Sequence, residues 1–256
     1  MSDQSFQFPR FFITAPAPCP YLENRQERKI FTELSGRDAA VLNEALAKVG
    51  FRRSQSVAYR PACEGCKACI SVRVATVAFR PSRNMKRIMK ANTDLETSAT
   101  DAIATDEQYE VLQEYLKTRH ADGGMAKMGA FEYSEMVESS PVSTSLVEYR
   151  LKQEAAGTRA LGRLLGVAIT DAMSDGLSMV YSFFDPAERR RSLGTFIILD
   201  HIIRAQKAGL PFVYLGYWVA GSPKMDYKRR FQPLEALGAK GWAPLEPLAN
   251  DNTGAA

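Results

Sequence analysis

The feature that most narrows the fold is a rhythm in the second half of the chain. Leu164 to Ala172 and Leu177 to Phe184 are dense in apolar and β-branched residues, and they meet at Ser174, Asp175 and Gly176, a composition suited to a hairpin turn. Asp185 and Pro186 break the second strand, and a basic loop through Arg189, Arg190 and Arg191 follows. Ser192 then opens an amphipathic helix through Ile197, Ile198, His201 and Ile202 that Gly209 stops, and Phe212 to Tyr217 makes a short buried strand. Strand, strand, helix and strand in this order call for a sheet with a helix laid across it.

A loop that feeds a helix N-terminus beside a strand end is chemically useful. The free N–H groups and positive dipole end there suit a phosphate or a developing oxyanion. The pattern predicts an α+β fold, a mixed sheet flanked by helices resembling the acyl-CoA N-acetyltransferase core. A generic strand, helix and strand packing unit yields the same pattern.

The first half is less regular. Up to about Pro20 the chain is rich in Pro and Phe and predicts an extended arm that packs through Phe6, Phe8, Phe11 and Phe12. Ser35 and Asp38 suggest a capped start for a helix carrying Ala39, Leu42, Leu46 and Val49 and ending at Gly50. Phe51 to Tyr59 and Ile70 to Val77 alternate as strands around a Cys-rich loop. Pro81 and Ser82 start a short basic helix to about Ala91, and Thr105 with Gln108 makes a capping box for a helix ending near His120. The expected division is a Cys-containing N-terminal region over 1–95, a transferase domain over 96–246 and a disordered tail over 247–256. With 256 residues and 45% hydrophobic content the chain buries a sizeable core. The start of the chain lacks the features of a secretory signal and no apolar run reaches membrane-spanning length, so a cytoplasmic, membrane-free protein is expected.

Four cysteines are present: Cys19, and Cys63, Cys66 and Cys69 in a C-x-x-C-x-x-C run. Two-residue gaps aim several thiolates at one point, which suits metal chemistry in a cytosolic chain, with Cys19 as a fourth sulfur. Zinc and an iron-sulfur cluster both stay open, as does a set of packed, unliganded thiols. The net charge of +4 is modest, but it is clustered: Gly65 to Thr93 contains no Asp or Glu and seven Lys or Arg. On the helix from Pro81 to Ala91, Arg83, Lys86, Arg87 and Lys90 share one face, a stripe that suits an RNA backbone or a solvated surface equally. Lys224, Lys228, Arg229 and Arg230 lie among Tyr214, Tyr217, Trp218 and Tyr227, aromatics fit either for stacking on unpaired bases or for a core. His120 and His201 stand outside any triad-like setting, and Gly162 to Gly166 has neither the spacing nor the context of a nucleotide loop.

Several stretches together resemble the arginyl and leucyl tRNA-protein transferase family. They are Tyr59-Arg60-Pro61 with the Cys run and Arg73; Pro81 to Arg87 with Asn92; Val180 to Pro186; Ser192-Leu193-Gly194; and Tyr214 to Trp218 leading to Lys224 through Lys228. The resemblance runs from about Cys19 to Leu234, and its Cys triplet and Tyr-Trp pair are most similar to the bacterial branch. That branch, the resemblance implies, moves leucine from Leu-tRNA to proteins starting with Asp or Glu, marking them for degradation in the N-end rule pathway. Arginyl transfer on the same scaffold, a peptidoglycan-type aminoacyltransferase and a non-catalytic metal-stabilised RNA-binding protein are the alternatives. Leu22 stands where the eukaryotic branch has a second cysteine, and Cys66 and Cys69 are spaced apart where that branch has an adjacent pair. The cluster of that branch therefore carries over only as one option, and no cofactor is required by the reaction itself.

In such a reaction the acceptor amine attacks an activated ester, so a strong base is unnecessary and positioning supplies most of the rate. Placement and resemblance make Asp185 the candidate to hold or deprotonate the amine, and Ser192 and Gly194 the candidates to receive the tRNA end. Tyr59, Tyr217, Trp218, Lys224 and Tyr227 are the remaining substrate candidates. Arg60, Arg73 and Arg87 are candidates to read the acidic residue, Arg60 being favoured because it abuts the Cys loop.

Overall fold

The structure, a computed structural model, describes residues 9–121, 123–152 and 162–245. In chain order the first elements are β1 (Phe12–Ile13), β2 (Ala17–Pro18), β3 (Gln26–Glu27), β4 (Lys29–Glu33), α1 (Ala39–Lys48), β5 (Arg52–Ser54), β6 (Val57–Pro61) and β7 (Cys69–Ala75). Next come α2 (Arg83–Lys90), β8 (Leu95–Asp101), α3 (Asp106–Arg119), α4 (Ala130–Glu138), β9 (Thr144–Leu151), β10 (Leu164–Met173) and β11 (Gly176–Phe184). The last are α5 (Leu193–Lys207), β12 (Phe212–Val219), β13 (Leu234–Gly238) and β14 (Gly241–Pro244).

The main sheet has eight strands in the order β14-β13-β7-β12-β11-β10-β9-β8. All its pairs are antiparallel except β11 with β12, so the sheet is mixed and the fold is α+β. Helices cover both faces. Leu112, Leu116, Tyr133 and Val137 of α3 and α4 bury against Leu146, Val167 and Ile169 on one side. Ile197, Ile198 and Ile202 of α5 bury against Leu165, Ala168 and Val213 on the other. β10 is covered on both faces, which explains its near-continuous apolar run. β7, from the first third of the chain, pairs with both β12 and β13, so the N-terminal region contributes a strand to the sheet built by the C-terminal one.

A smaller sheet, β1-β4-β6-β5, closes over α1 through Leu34, Leu46, Phe51 and Ala58. Phe51 to Tyr59 is two strands rather than one, because Gln55 adopts a left-handed conformation at φ 51° and turns the chain back on itself. The α1 start expected from Ser35 and Asp38 lies at Asp38, whose side chain makes no capping hydrogen bond. Ser82 does cap α2 by accepting from Met85 N–H, and the Thr105–Gln108 capping box is formed on α3. Phe11 meets Phe51 with ring centroids 5.8 Å apart, although Phe11 and Phe12 are both exposed along much of their surface. Phe6, Phe8 and the tail from Pro247 lie outside the described residues. No helix among the described residues is long and apolar enough to cross a membrane.

Candidate active site

The parallel junction between β11 and β12 is the structural anomaly of the sheet. The strands pair only at Gly176 with Phe212, Leu177 with Val213 and Ser178 with Tyr214, yet β11 runs on to Phe184 and β12 to Val219. Past Ser178 the ladder stops and leaves a gap in the strand pairing, where Met179 O and Tyr217 O accept from Arg52 and Lys228 in place of the opposite strand. α5 begins beside the end of β11. Its Leu193 and Gly194 N–H groups have no acceptor among the described residues, and Ser192 supplies no side-chain cap. Gly194 keeps this approach close, since a Cβ would lie 3.0 Å from the Phe184 ring and push it aside by a few tenths of an ångström.

The loop joining β11 to α5 is braced by charge. Asp185 accepts from Arg163 at 2.6 Å through Oδ2 and from Ala187 N–H at 2.8 Å through Oδ1. Both oxygens of the candidate catalytic carboxylate are thus occupied, although it stands at the mouth of the gap. Arg191 forks onto Asp94 with two bonds of 2.8 Å and bonds Glu188 at 3.0 Å, which holds the Asp94 carboxyl below its usual range. Asn92 donates to the carbonyls of Ile88 and Arg191, both at 2.9 Å, and so ties the end of α2 to the start of α5. α2, whose Arg83, Lys86, Arg87 and Lys90 side chains are exposed, is thereby anchored beside the start of α5.

The aromatic candidates divide. Tyr214, Tyr217 and Trp218 are buried, the packing alternative, and Tyr217 Oη donates to the carbonyls of Gly50 and Tyr59 at 2.9 and 3.1 Å. Burial drives the Tyr217 phenol well above its ordinary range. Tyr227 is exposed, as is Lys224, and Lys224 acts with burial to lower the His120 pKa. Tyr115 of α3, which belongs to no motif and went unremarked in the sequence, packs edge-on against Phe184 with centroids 5.0 Å apart and also meets His120. His201 is fully buried on Thr170 at 2.8 Å and Ile197 at 2.7 Å, as a structural histidine.

Arg73 bonds Glu235 at 2.8 Å and lies 3.4 Å over Phe212, an arginine engaged in the core rather than offered to a ligand. Arg60 is exposed above the Phe51 ring and, with Lys67, Tyr217 and three of the cysteines, lines a cavity of about 290 Å³. Tyr59 sits at its back, 6.3 Å from the Tyr217 ring. Burial, then Cys19, Cys63 and Cys66, push the Cys69 thiol up to about 11, so the four sulfurs share one neighbourhood. Among the described residues they do not draw in closely enough to form a metal-binding group.

Two residues sit at the point where β11 and β12 part: Arg52, which sequence reasoning missed, and Lys228, which it read only as part of a basic cluster. Arg52, from β5, donates through Nη2 to Met179 O at 2.5 Å, and Lys228 is buried and donates to Tyr217 O at 2.6 Å. The one available signal was Gly216, a glycine between aromatic residues in a strand.

An opened parallel junction, a helix start with free N–H groups and a basic face beside it are the parts of a group-transfer site that handles a polyanionic substrate. Models of the arginine-tRNA-protein transferase N terminus and C terminus match residues 17–87 and 107–238. A protein from Sphingopyxis alaskensis named aspartate/glutamate leucyltransferase is 55% identical over 98% of this chain and 96% of its own length. A protein of the same name from Sphingomonas elodea is 58% identical over 94% of this chain and 92% of its own. The chain belongs to the arginine-tRNA-protein transferase family. A solved structure of L-PGS from Bacillus licheniformis overlaps 61% of this chain and 48% of that one at 9% identity and a TM-score of 0.45, too distant to bear on the site.

Proposed function

We infer that this chain transfers leucine from Leu-tRNA to the N-terminal amine of proteins that start with Asp or Glu, on a scaffold of the acyl-CoA N-acetyltransferase kind. The observation that carries the reading is the gap between β11 and β12, flanked by the uncapped start of α5 and by near full-length similarity to leucyltransferases. The amine attacks the ester carbonyl, a C–N bond forms, the C–O bond to the terminal ribose breaks, and the amine's proton leaves with the ribose oxygen. An α-amine with a pKa of about 7.7–8.0 is partly neutral in the cytosol, so holding the reactants together is the larger task.

In this reading the α2 stripe and the exposed cations Arg189 and Arg190 follow the tRNA backbone, and the Leu193 and Gly194 N–H groups face the terminal nucleotide or the developing oxyanion. Tyr227 and Tyr115 offer stacking surfaces near the end of β11. Asp185, both of whose oxygens are engaged, orients the neutral acceptor amine and stabilises the positive charge that develops on it as it attacks, rather than taking its proton. The cysteine neighbourhood is assigned no step. Zinc or a cluster there would stabilise the β6–β7 connection and would require the sulfurs to move together. Incubating the protein with labelled Leu-tRNA, labelled Arg-tRNA and an Asp-starting peptide tests the reading. Label from leucine alone is expected, label from arginine reassigns the donor, and no label leaves an RNA-binding protein.

A further inference from the structure

Most half-buried and buried arginines among the described residues have carboxylate partners; Arg28, which bonds Thr14 O, and Arg229, which lies over the Trp218 ring with its Nε unpartnered, are exceptions. Arg53 meets Asp171, Arg73 meets Glu235, Arg150 meets Glu148 and Arg191 meets Asp94. Arg52 does not, although it stands next to Arg53. Its Nη1 is buried without a hydrogen-bond partner, and its Nη2 has only the carbonyl of Met179, the first residue of β11 beyond the paired stretch. An uncompensated guanidinium N–H away from water is costly, so its persistence at the parting of two strands points to a ligand.

Three neighbours reinforce the point. Gly216 takes φ +80°, and a Cβ there would overlap the Arg52 guanidinium, so the absent side chain makes the room in which the cation lies. Lys228 brings a second buried cation. Its ammonium is held down by burial and by the charge of Arg52, with no carboxylate acting on it among the described residues. The Arg52 charge also acts, against burial, to lower the pKa of Tyr21, Tyr217 and Tyr227. Two cations without a counterion, one with a free planar donor, are complementary to a carboxylate, which would accept from Nη1 and favour the protonated form of Lys228.

We propose that Arg52, backed by Lys228, is the seat for the side-chain carboxylate of the acceptor's first residue, and so selects Asp and Glu over their neutral amides. The proposal rests on the leucyl-transfer reading above. It puts the acid-reading role deep in the gap and leaves Arg60 outside it. Arg52 as a residue is half-buried but Nη1 has no exposed surface, so the incoming carboxylate must displace the groups packed over Nη1 to reach it.

The test is leucyl transfer by the full chain to peptides that differ only in starting with Asp, Glu, Asn or Ala. Arg52→Gln retains an amide able to bond Met179 O while removing the charge. It should lower kcat/KM for the Asp and Glu peptides by about 30-fold or more, mainly through KM, as expected for a lost charge-assisted pair. The residual rate on the Asn peptide and the affinity for Leu-tRNA should stay within about twofold. Arg52→Lys should fall between. Lys228→Met should shift the Asp-to-Asn ratio in the same direction by a smaller factor, and it decides the matter should Arg52→Gln not fold. Equal losses on acidic and neutral peptides, weakened Leu-tRNA binding, or loss of acid preference in Arg60→Ala instead would each overturn the proposal. If the wild-type protein labels no peptide at all, the reaction assignment fails along with it. If it labels acidic peptides and both variants keep the preference, only the Arg52 seat fails.

Discussion

The two ends of the β10–β11 hairpin are built to opposite rules. At the turn, the Glu44 carboxylate accepts from both Ser174 N–H and Ser174 Oγ at 2.9 and 2.6 Å, and Arg53 forks onto Asp171 with two bonds of 2.6 Å while almost wholly buried. Thr144 adds a third bond to Asp171 at 2.6 Å. At the other end β11 has left β12, and among the described residues the α5 start has free N–H groups and two cations lack counterions. One sheet therefore carries a closed end, where polar groups are matched within the chain except for Asp175 Oδ1 in the turn, and an open end, where more of them await an outside partner. Local unsatisfied groups concentrated on one side of an otherwise consistent fold are the physical mark of a binding site.

The contrast is broken most severely at the closed end. Asp171→Ala leaves the Arg53 charge buried and unpaired, and should lower stability by about 3–5 kcal/mol, measured by thermal or urea unfolding. An apolar pair at both positions should recover much of that loss. At the open end, Asp185→Asn should lower turnover by on the order of 100-fold if a negative charge there stabilises the charge that develops on the attacking amine. Because its partner Arg163 is half exposed, the stability change should stay under about 1 kcal/mol. Turnover near the wild-type value would remove Asp185 from the chemistry. Reversing two α2 charges together, Lys86→Glu with Arg87→Glu, should weaken Leu-tRNA binding about tenfold or more and flatten its dependence on salt, with peptide KM unchanged.

A smaller effect sharpens the comparison through pH. Burial, and then Arg52, bring the Lys228 pKa from 10.5 down to about 7. Between those values the unfolded chain binds a proton that the folded chain has released, so stability should rise with pH across that window and gain nothing from this group below it. The slope from one lysine is at most about 1.4 kcal/mol per pH unit. Lys228→Met should flatten the rise between pH 7 and 9 in unfolding measured at each pH, and an unchanged slope would show that the amine is charged in the folded protein.

Elements set by local chemistry were legible in the sequence. The Thr105 capping box, the Ser82 cap and the Ser174 to Gly176 turn each depend on a few adjacent residues, and each is formed or lies where expected. β8, reading Leu-Glu-Thr-Ser-Ala-Thr-Asp, was invisible because an exposed edge strand has no apolar alternation to betray it. The basic cluster near the C-terminus was legible as charge but not as placement, since Lys228 is buried while its neighbours Lys224 and Arg230 are exposed. Arg52 was illegible for a deeper reason. Its isolation depends on where a parallel ladder between two distant strands stops and on which carboxylates the tertiary fold brings to the arginines around it. Neither has a local signature.

The position of β7 has a consequence for how the protein is made. Both of its sheet partners come from beyond Leu210, so a chain leaving the ribosome displays this apolar strand with both edges bare until nearly everything else has been synthesised. Assembly of the sheet is bound to be late and dominated by long-range closure, the circumstance in which nascent chains stick to one another most readily. The run of basic residues that follows β7 without a single acidic one gives that waiting segment mutual repulsion in place of a partner.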